Sequence, residues 1–172
     1  MIELILGGAR SGKSRLAEKT AAASGLKVIY IATATVYDDE MADRVEHHKQ
    51  QRPDHWPVVE ETIELAKVLE QHSSPDHCLL VDCLTLWLTN LLCSEDKGIF
   101  QKQRHALLEC LPKLKGKVLF VSNEVGMGVV PMGELTRQFC DESGRLHQDI
   151  AELADKVTLT VAGLPHVLKE QS

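Results

Sequence analysis

Apolar residues fall in short continuous runs separated by stretches with helical spacing. Ile2, Leu4, Ile5 and Leu6 make the first run, and Lys27–Ala32, His77–Asp82, 117–122 and 156–162 make four more. Runs of this kind, bounded by Gly, Pro or polar residues, are the form of strands buried on both faces of a sheet. Val58 and Val59 add a shorter one. Between them, Leu16, Ala17, Thr20, Ala21 and Ala23 fit a helix from Ser14 that stops near Gly25. A helix over 38–51, capped by Asp38 or Asp39, should stop at Arg52-Pro53, because the residue before proline avoids the α region. Ile63, Leu65, Ala66 and Leu69 repeat at helical spacing within 62–71. The segment 84–93 is apolar on nearly all sides, and 100–114 is amphipathic. Residues 134–154 read as helical with an interruption at Ser143-Gly144, and nothing after Gly163 shows a pattern. Strands alternating with helices predict an α/β fold: a doubly wound, mostly parallel sheet with helices on both faces.

One stretch gives this pattern a chemical purpose. Gly7, Gly8, Ala9, Arg10, Ser11, Gly12, Lys13 and Ser14 fit G-x-x-x-x-G-K-[ST] and lie between the first strand and the first helix. That is the position of a phosphate-binding P-loop, and it types the fold as a P-loop NTPase. Glycines let the backbone curl so that N–H groups converge on a polyphosphate, and the N-terminus of the following helix adds partial positive charge. Lys13 would reach the β- and γ-phosphates, and the Ser14 hydroxyl would bind Mg²⁺. Asp82, at the tip of a central buried strand, is the second candidate Mg²⁺ ligand. It also fits as a cap of the helix that follows, and the two roles are compatible.

Composition narrows the partners. The 172 residues match the usual size of one domain, so 1–172 is read as a single P-loop nucleotide-binding catalytic domain. With 19 basic against 25 acidic residues and no basic block, a nucleic-acid groove has little to be made from. Five cysteines without a C-x-x-C pair read as reduced thiols rather than a disulfide frame or a zinc site. No run reaches the roughly 18–20 apolar residues of a membrane span, and no charged leader precedes the first strand, so a cytoplasmic location is expected.

The pair His47-His48 stands out on the helix over 38–51. His48 shares a face with Met41 and Val45, whereas His47 falls with Asp43 and Gln50 on a more polar one. By pattern alone His48 fits a packed core histidine. By place, after a loop on the sheet's ligand edge and near Lys49, Arg52 and Glu60, it fits a base or a nucleophile.

The strings GGARSGKS, IYIATATVYDDEMADRVEHHKQQRPDHW, VDCLTLWLTNLL, SNEVGMGVVP and FCDESGRLHQDIAELADKV, in that order, span nearly the whole chain. Together they resemble the bifunctional adenosylcobinamide kinase/adenosylcobinamide-phosphate guanylyltransferase family of cobalamin biosynthesis. The resemblance implies phosphorylation of adenosylcobinamide by a nucleoside triphosphate, ATP or GTP, and then transfer of GMP from GTP to adenosylcobinamide phosphate. The second step would pass through GMP held on a histidine, carried onto His48 with His47 as alternate. The products would be adenosylcobinamide-GDP and pyrophosphate. Nucleotide contacts carried over are Gly7 to Ser14, Ala32, Thr33, Ala34, Lys49, Gln50, Gln51, Arg52, Glu60 and Asp82. The family also implies a homotrimer. A small-molecule P-loop kinase without nucleotidyl transfer is the competing reading. A regulatory GTP switch is disfavoured because the chain has no N-K-x-D string for reading guanine.

Overall fold

The computed structural model describes residues 1–35 and 53–171. Its centre is one seven-stranded sheet in the order β3-β2-β4-β5-β1-β6-β7. The strands are β1 (Ile2–Gly7), β2 (Lys27–Ala32), β3 (Val58–Glu60), β4 (His77–Asp82), β5 (Lys117–Asn123), β6 (Lys156–Val161) and β7 (Leu164–Glu170). All neighbours pair parallel except β6 and β7. The described helices are α1 (Lys13–Ala22), α2 (Leu65–His72), α3 (Leu84–Leu92), α4 (Ile99–Cys110, followed by a 3₁₀ turn Leu111–Lys113) and α5 (Glu134–Leu153). The expected doubly wound, mostly parallel sheet is therefore what the chain forms.

Strand alternation assigns each face its core. Leu4, Ile31, Leu79, Val81 and Phe120 point to one side, where α2, α3, α4 and α5 contribute Leu65, Trp87, Leu107 and Ile150. Ile5, Tyr30, Leu80 and Val121 point to the other, against Ala17 and Ala21 of α1 and Trp56. Alanines at these α1 positions bring the helix close to the sheet, which sets the entry of the loop before it. Inward leucines such as Leu79 and Leu80 are at most 1% exposed, and truncating one to alanine should cost about 2–5 kcal/mol.

Two expectations fail. Residues Ser143 and Gly144 do not interrupt the last helix, because α5 runs unbroken through both. Ser143 is buried where α5 packs, so its small side chain serves close approach rather than a break. Nor does the sheet end at β6: the patternless tail forms β7, antiparallel to β6. Their two-residue turn, Ala162 and Gly163, has φ of 52° and 79°. Positive φ at both positions matches the type I′ turn that suits the strand twist of a tight hairpin.

Candidate nucleotide site

Parallel strands place their carboxyl ends on one edge, and that edge gathers the loop between β1 and α1 with the tips of β2, β3, β4 and β5. β1 ends at Gly7, where a side chain has no room: a Cβ would lie 2.6 Å from the Thr160 carbonyl oxygen and would collide with Ser11 Oγ. The chain then turns, closing with a bond from Ser11 N–H to the Gly8 carbonyl (3.2 Å). Arg10 and Gly12 both adopt positive φ, 54° and 92°. Left-handed residues interleaved with right-handed ones turn successive N–H groups to one side, the geometry of an anion nest. Gly12 is the N-cap of α1, with no side-chain cap bond and no acidic residue in the first turn. The positive end of the helix is thus left to an external anion.

The hairpin braces this loop. Gly163 N–H donates to the Ser11 carbonyl at 2.8 Å, and a Cβ on Gly12 would lie 3.2 Å from Gly163 Cα. Lys13 folds back over the loop, its Nζ donating to the Gly8 carbonyl at 3.1 Å. It is only 9% exposed. Burial pulls its ammonium below the usual lysine value, and the nearby Cys83 and Asp82 oppose that shift. Lys13 is thus a cation already stripped of much of its water and aimed at the nest. Ser14 follows in the first turn of α1, half-buried.

Asp82 ends β4, where the Tyr30 hydroxyl donates to its Oδ2 at 2.9 Å. Thr33, just past β2, is fully buried, donating from Oγ1 to the Cys83 carbonyl (2.7 Å) and accepting from Cys83 N–H (2.9 Å). Asn90 Nδ2 donates to the Thr33 carbonyl at 2.8 Å. These bonds lock the β2 tip to the β4 tip beside Lys13. Ala32 pairs with Glu60 across β2 and β3, and Glu60 is exposed on the edge.

The edge therefore brings together Gly7, Gly8, Ala9, Arg10, Ser11, Gly12, Lys13, Ser14, Ala32, Thr33, Ala34, Glu60 and Asp82. His47, His48, Lys49, Gln50, Gln51 and Arg52 lie outside the described residues. Sequence reasoning missed Tyr30 and the bracing hairpin. It also missed a polar chain behind the edge: Thr85 Oγ1 to Ser122 Oγ at 3.2 Å, and Ser122 Oγ to His147 Nε2 at 2.7 Å. The available signal was a serine closing the apolar run 117–122 and a histidine on the inner face of an amphipathic helix.

Solved structures share this architecture at low identity. The flagellar accessory protein FlaH of Methanocaldococcus jannaschii superposes with a TM-score of 0.55 at 13% identity, covering 99% of this chain and 78% of that one. A type III secretion system ATPase gives 0.54 at 13% identity, covering 96% and 56%. Such likeness speaks for the P-loop NTPase fold alone. Sequence relatives say more. The chain is 58% identical over 169 residues to the bifunctional adenosylcobalamin biosynthesis protein CobP of Pseudomonas aeruginosa, covering 98% of each. It is 41% identical over 177 residues to CobU of Escherichia coli, with the same bifunctional description, covering 95% of this chain and 97% of the relative. Residues 3–168 match one family along almost their whole length, phosphate loop to hairpin, and the chain belongs to it: cobinamide kinase / cobinamide phosphate guanyltransferase.

Proposed function

We propose that this chain, acting as one P-loop catalytic domain, phosphorylates adenosylcobinamide and then converts the product to adenosylcobinamide-GDP. The single observation that carries the reading is the anion nest ending in the desolvated Lys13 within a chain of this family. In the first reaction the substrate hydroxyl oxygen attacks the γ-phosphorus of ATP or GTP. The bond to the β-phosphate breaks, and the hydroxyl proton leaves to solvent. The chain's contribution is positioning and charge: loop amides and Lys13 offset the negative charge that grows on the departing diphosphate.

In the second reaction an unprotonated imidazole nitrogen of His48 attacks the α-phosphorus of GTP, and pyrophosphate leaves. A phosphate oxygen of adenosylcobinamide phosphate then attacks the same phosphorus, and the bond to His48 breaks. The neutral imidazole nitrogen carries the lone pair that this attack requires. Ala32, Thr33, Ala34, Lys49, Gln50, Gln51, Arg52 and Glu60 are proposed to hold the nucleotide beside the loop.

Mg²⁺ fits the donors present. Ser14 and Asp82 are hard oxygen donors that would hold the cation, and the Tyr30 hydroxyl donates to Asp82 Oδ2. When bound, the ion would supply charge neutralisation for the polyphosphate. The homotrimer and the cytoplasmic location belong to the same proposal. No helix among the described residues is long and apolar enough to cross a membrane.

Incubation with GTP labelled at the α-phosphorus, followed by intact mass measurement, tests the covalent step. The expected result is one guanylyl group per chain, acid-labile and base-stable, absent from His48→Ala and retained at least in part by His47→Ala. No adduct on the unmutated chain, with kinase turnover intact, would leave a plain kinase.

A further inference from the structure

The tip of β5 lies between the phosphate loop and Asp82, and a buried polar chain sits directly behind it. Ser122 is 1% exposed and His147, on α5, 7% exposed. Their bond of 2.7 Å continues to Thr85 on α3, and Thr85 Oγ1 also accepts Asn123 N–H at 2.7 Å. The next residue, Glu124, donates its N–H to the Gly7 carbonyl at 3.0 Å. Its carboxylate faces His147 Nδ1 at 4.0 Å. Among the described residues Glu124 is the charged group that acts on this ring.

The charge on the far side of the ring orients the chain. The Thr85 hydroxyl accepts from Asn123 N–H and meets both Ser122 and the Cys83 side chain, so it has a partner whichever way the Ser122 hydroxyl turns. The Glu124 carboxylate faces Nδ1, which favours the proton of a neutral ring on that nitrogen. Nε2 is then the acceptor of the Ser122 hydroxyl. Burial, which holds the ring below its ordinary value against the pull of Glu124, agrees with a neutral His147.

We propose that His147 is a positioning residue for phosphoryl transfer: as the Nδ1–H tautomer it accepts the Ser122 hydroxyl and so fixes the β5 tip that anchors Gly7 of the phosphate loop. The inference rests on the proposed kinase reaction. It concerns how accurately the loop is held, so its signature is in kcat more than in nucleotide KM. A small misplacement of a phosphate cradle is enough to lower turnover by roughly tenfold to a hundredfold.

The test compares two replacements of similar size on the full chain. His147→Gln keeps an acceptor oxygen within reach of Ser122, and His147→Phe fills the space without one. Kinase kcat should fall about tenfold or more in His147→Phe, with KM for the triphosphate within about threefold, and return most of the way in His147→Gln. Ser122→Ala should lower kcat as His147→Phe does, which covers the case in which the phenylalanine variant does not fold. Nitrogen NMR of the unmutated protein at neutral pH should show an unprotonated Nε2 and a protonated Nδ1 for His147, whether or not turnover is measured. Equal kcat in all three variants and the unmutated chain, equal losses in His147→Gln and His147→Phe that track melting temperature, or an Nε2–H tautomer would each overturn the proposal. Lys13→Ala, run alongside, separates this from failure of the kinase reading: unchanged turnover there removes that reading itself, whereas loss there with unchanged His147→Phe removes only the inference about His147.

Discussion

Replacing Lys13 by alanine should remove activity while leaving the fold as stable as before. The ammonium donates to the Gly8 carbonyl, is almost wholly buried, and sits in surroundings that disfavour its charge. Its desolvation cost is met when the chain folds, so the full attraction to phosphate is available at the moment of reaction. A charge pair near 4 Å is worth on the order of 4 kcal/mol at a surface-like effective dielectric, and loss of one oriented donor typically costs about 10²–10³-fold in rate. Stability should behave differently. The variant loses one hydrogen bond of about 1 kcal/mol and is also relieved of a poorly solvated charge, so the two terms largely offset. The assay is turnover of each half-reaction under saturating nucleotide, beside a thermal melt. Near-normal turnover in either half-reaction would show that the nest is not the shared phosphate site. A melting temperature lowered by many degrees would show that Lys13 holds the loop together instead of holding charge in reserve.

Three further outcomes follow from neighbouring contacts. Asp82→Asn keeps the size of the side chain but halves its value as a cation ligand, so the Mg²⁺ concentration needed for half-maximal activity should rise several-fold, and an unchanged metal titration would leave Asp82 a structural role. Gly7→Ala forces a Cβ against the Thr160 carbonyl and Ser11, so nucleotide-dependent turnover should fall by at least tenfold, and a soluble variant with normal turnover would contradict the packing described for the loop. Burial holds folded His147 below 6.5, so on acidification the unfolded chain binds its proton first: the stabilisation is complete above about 6.5 and declines as pH drops toward the folded value, at up to about 1.4 kcal/mol per pH unit, and urea titrations should show that slope shrink in His147→Gln.

The legible parts of this fold are those where burial is two-sided. β4 and β5 lie in the middle of the sheet, so nearly every residue must be apolar, and the run itself reports the strand. β7 gives no such report, because it is an edge strand with nearly all its residues exposed, and its turn uses Ala162-Gly163 instead of the Asn-Gly that marks a hairpin. The false break in α5 has a different cause. A glycine inside a helix costs roughly 1 kcal/mol against alanine, and burial of Leu146 and Ile150 on the same helix outweighs that several times over. In the candidate site, the loop residues were legible because their spacing is local. Thr85, Ser122 and His147 come from three separate elements, and only the packing of α3 and α5 on one face of the sheet brings them together. No window of sequence contains that proximity. Tyr30 is similar: one polar atom on an otherwise apolar strand reads as core until the partner Asp82 is placed beside it.

One cradle can serve both reactions because the β-phosphate belongs to the leaving group in each. Attack at the γ-phosphorus expels a nucleoside diphosphate, and the new charge appears on a β-phosphate oxygen. Attack at the α-phosphorus expels pyrophosphate, and the new charge again appears on an oxygen of the β-phosphate, on its other side. On the proposed reading, a nest of loop amides with the buried Lys13 beside the β- and γ-phosphates would stabilise both departures without rearrangement. What has to change is the attacking group, which must approach the γ end in one reaction and the α end in the other. On this account the braces of the loop, Gly163 against Ser11 and Glu124 against Gly7, serve a site that stays fixed while its acceptors alternate. Substitutions in the cradle should then lower both activities by similar factors, and those at His48 should lower guanylyl transfer far more than phosphorylation. A cradle variant that separated the two activities by more than about tenfold would mean that the triphosphate sits in two different registers, and the common-leaving-group argument would fail.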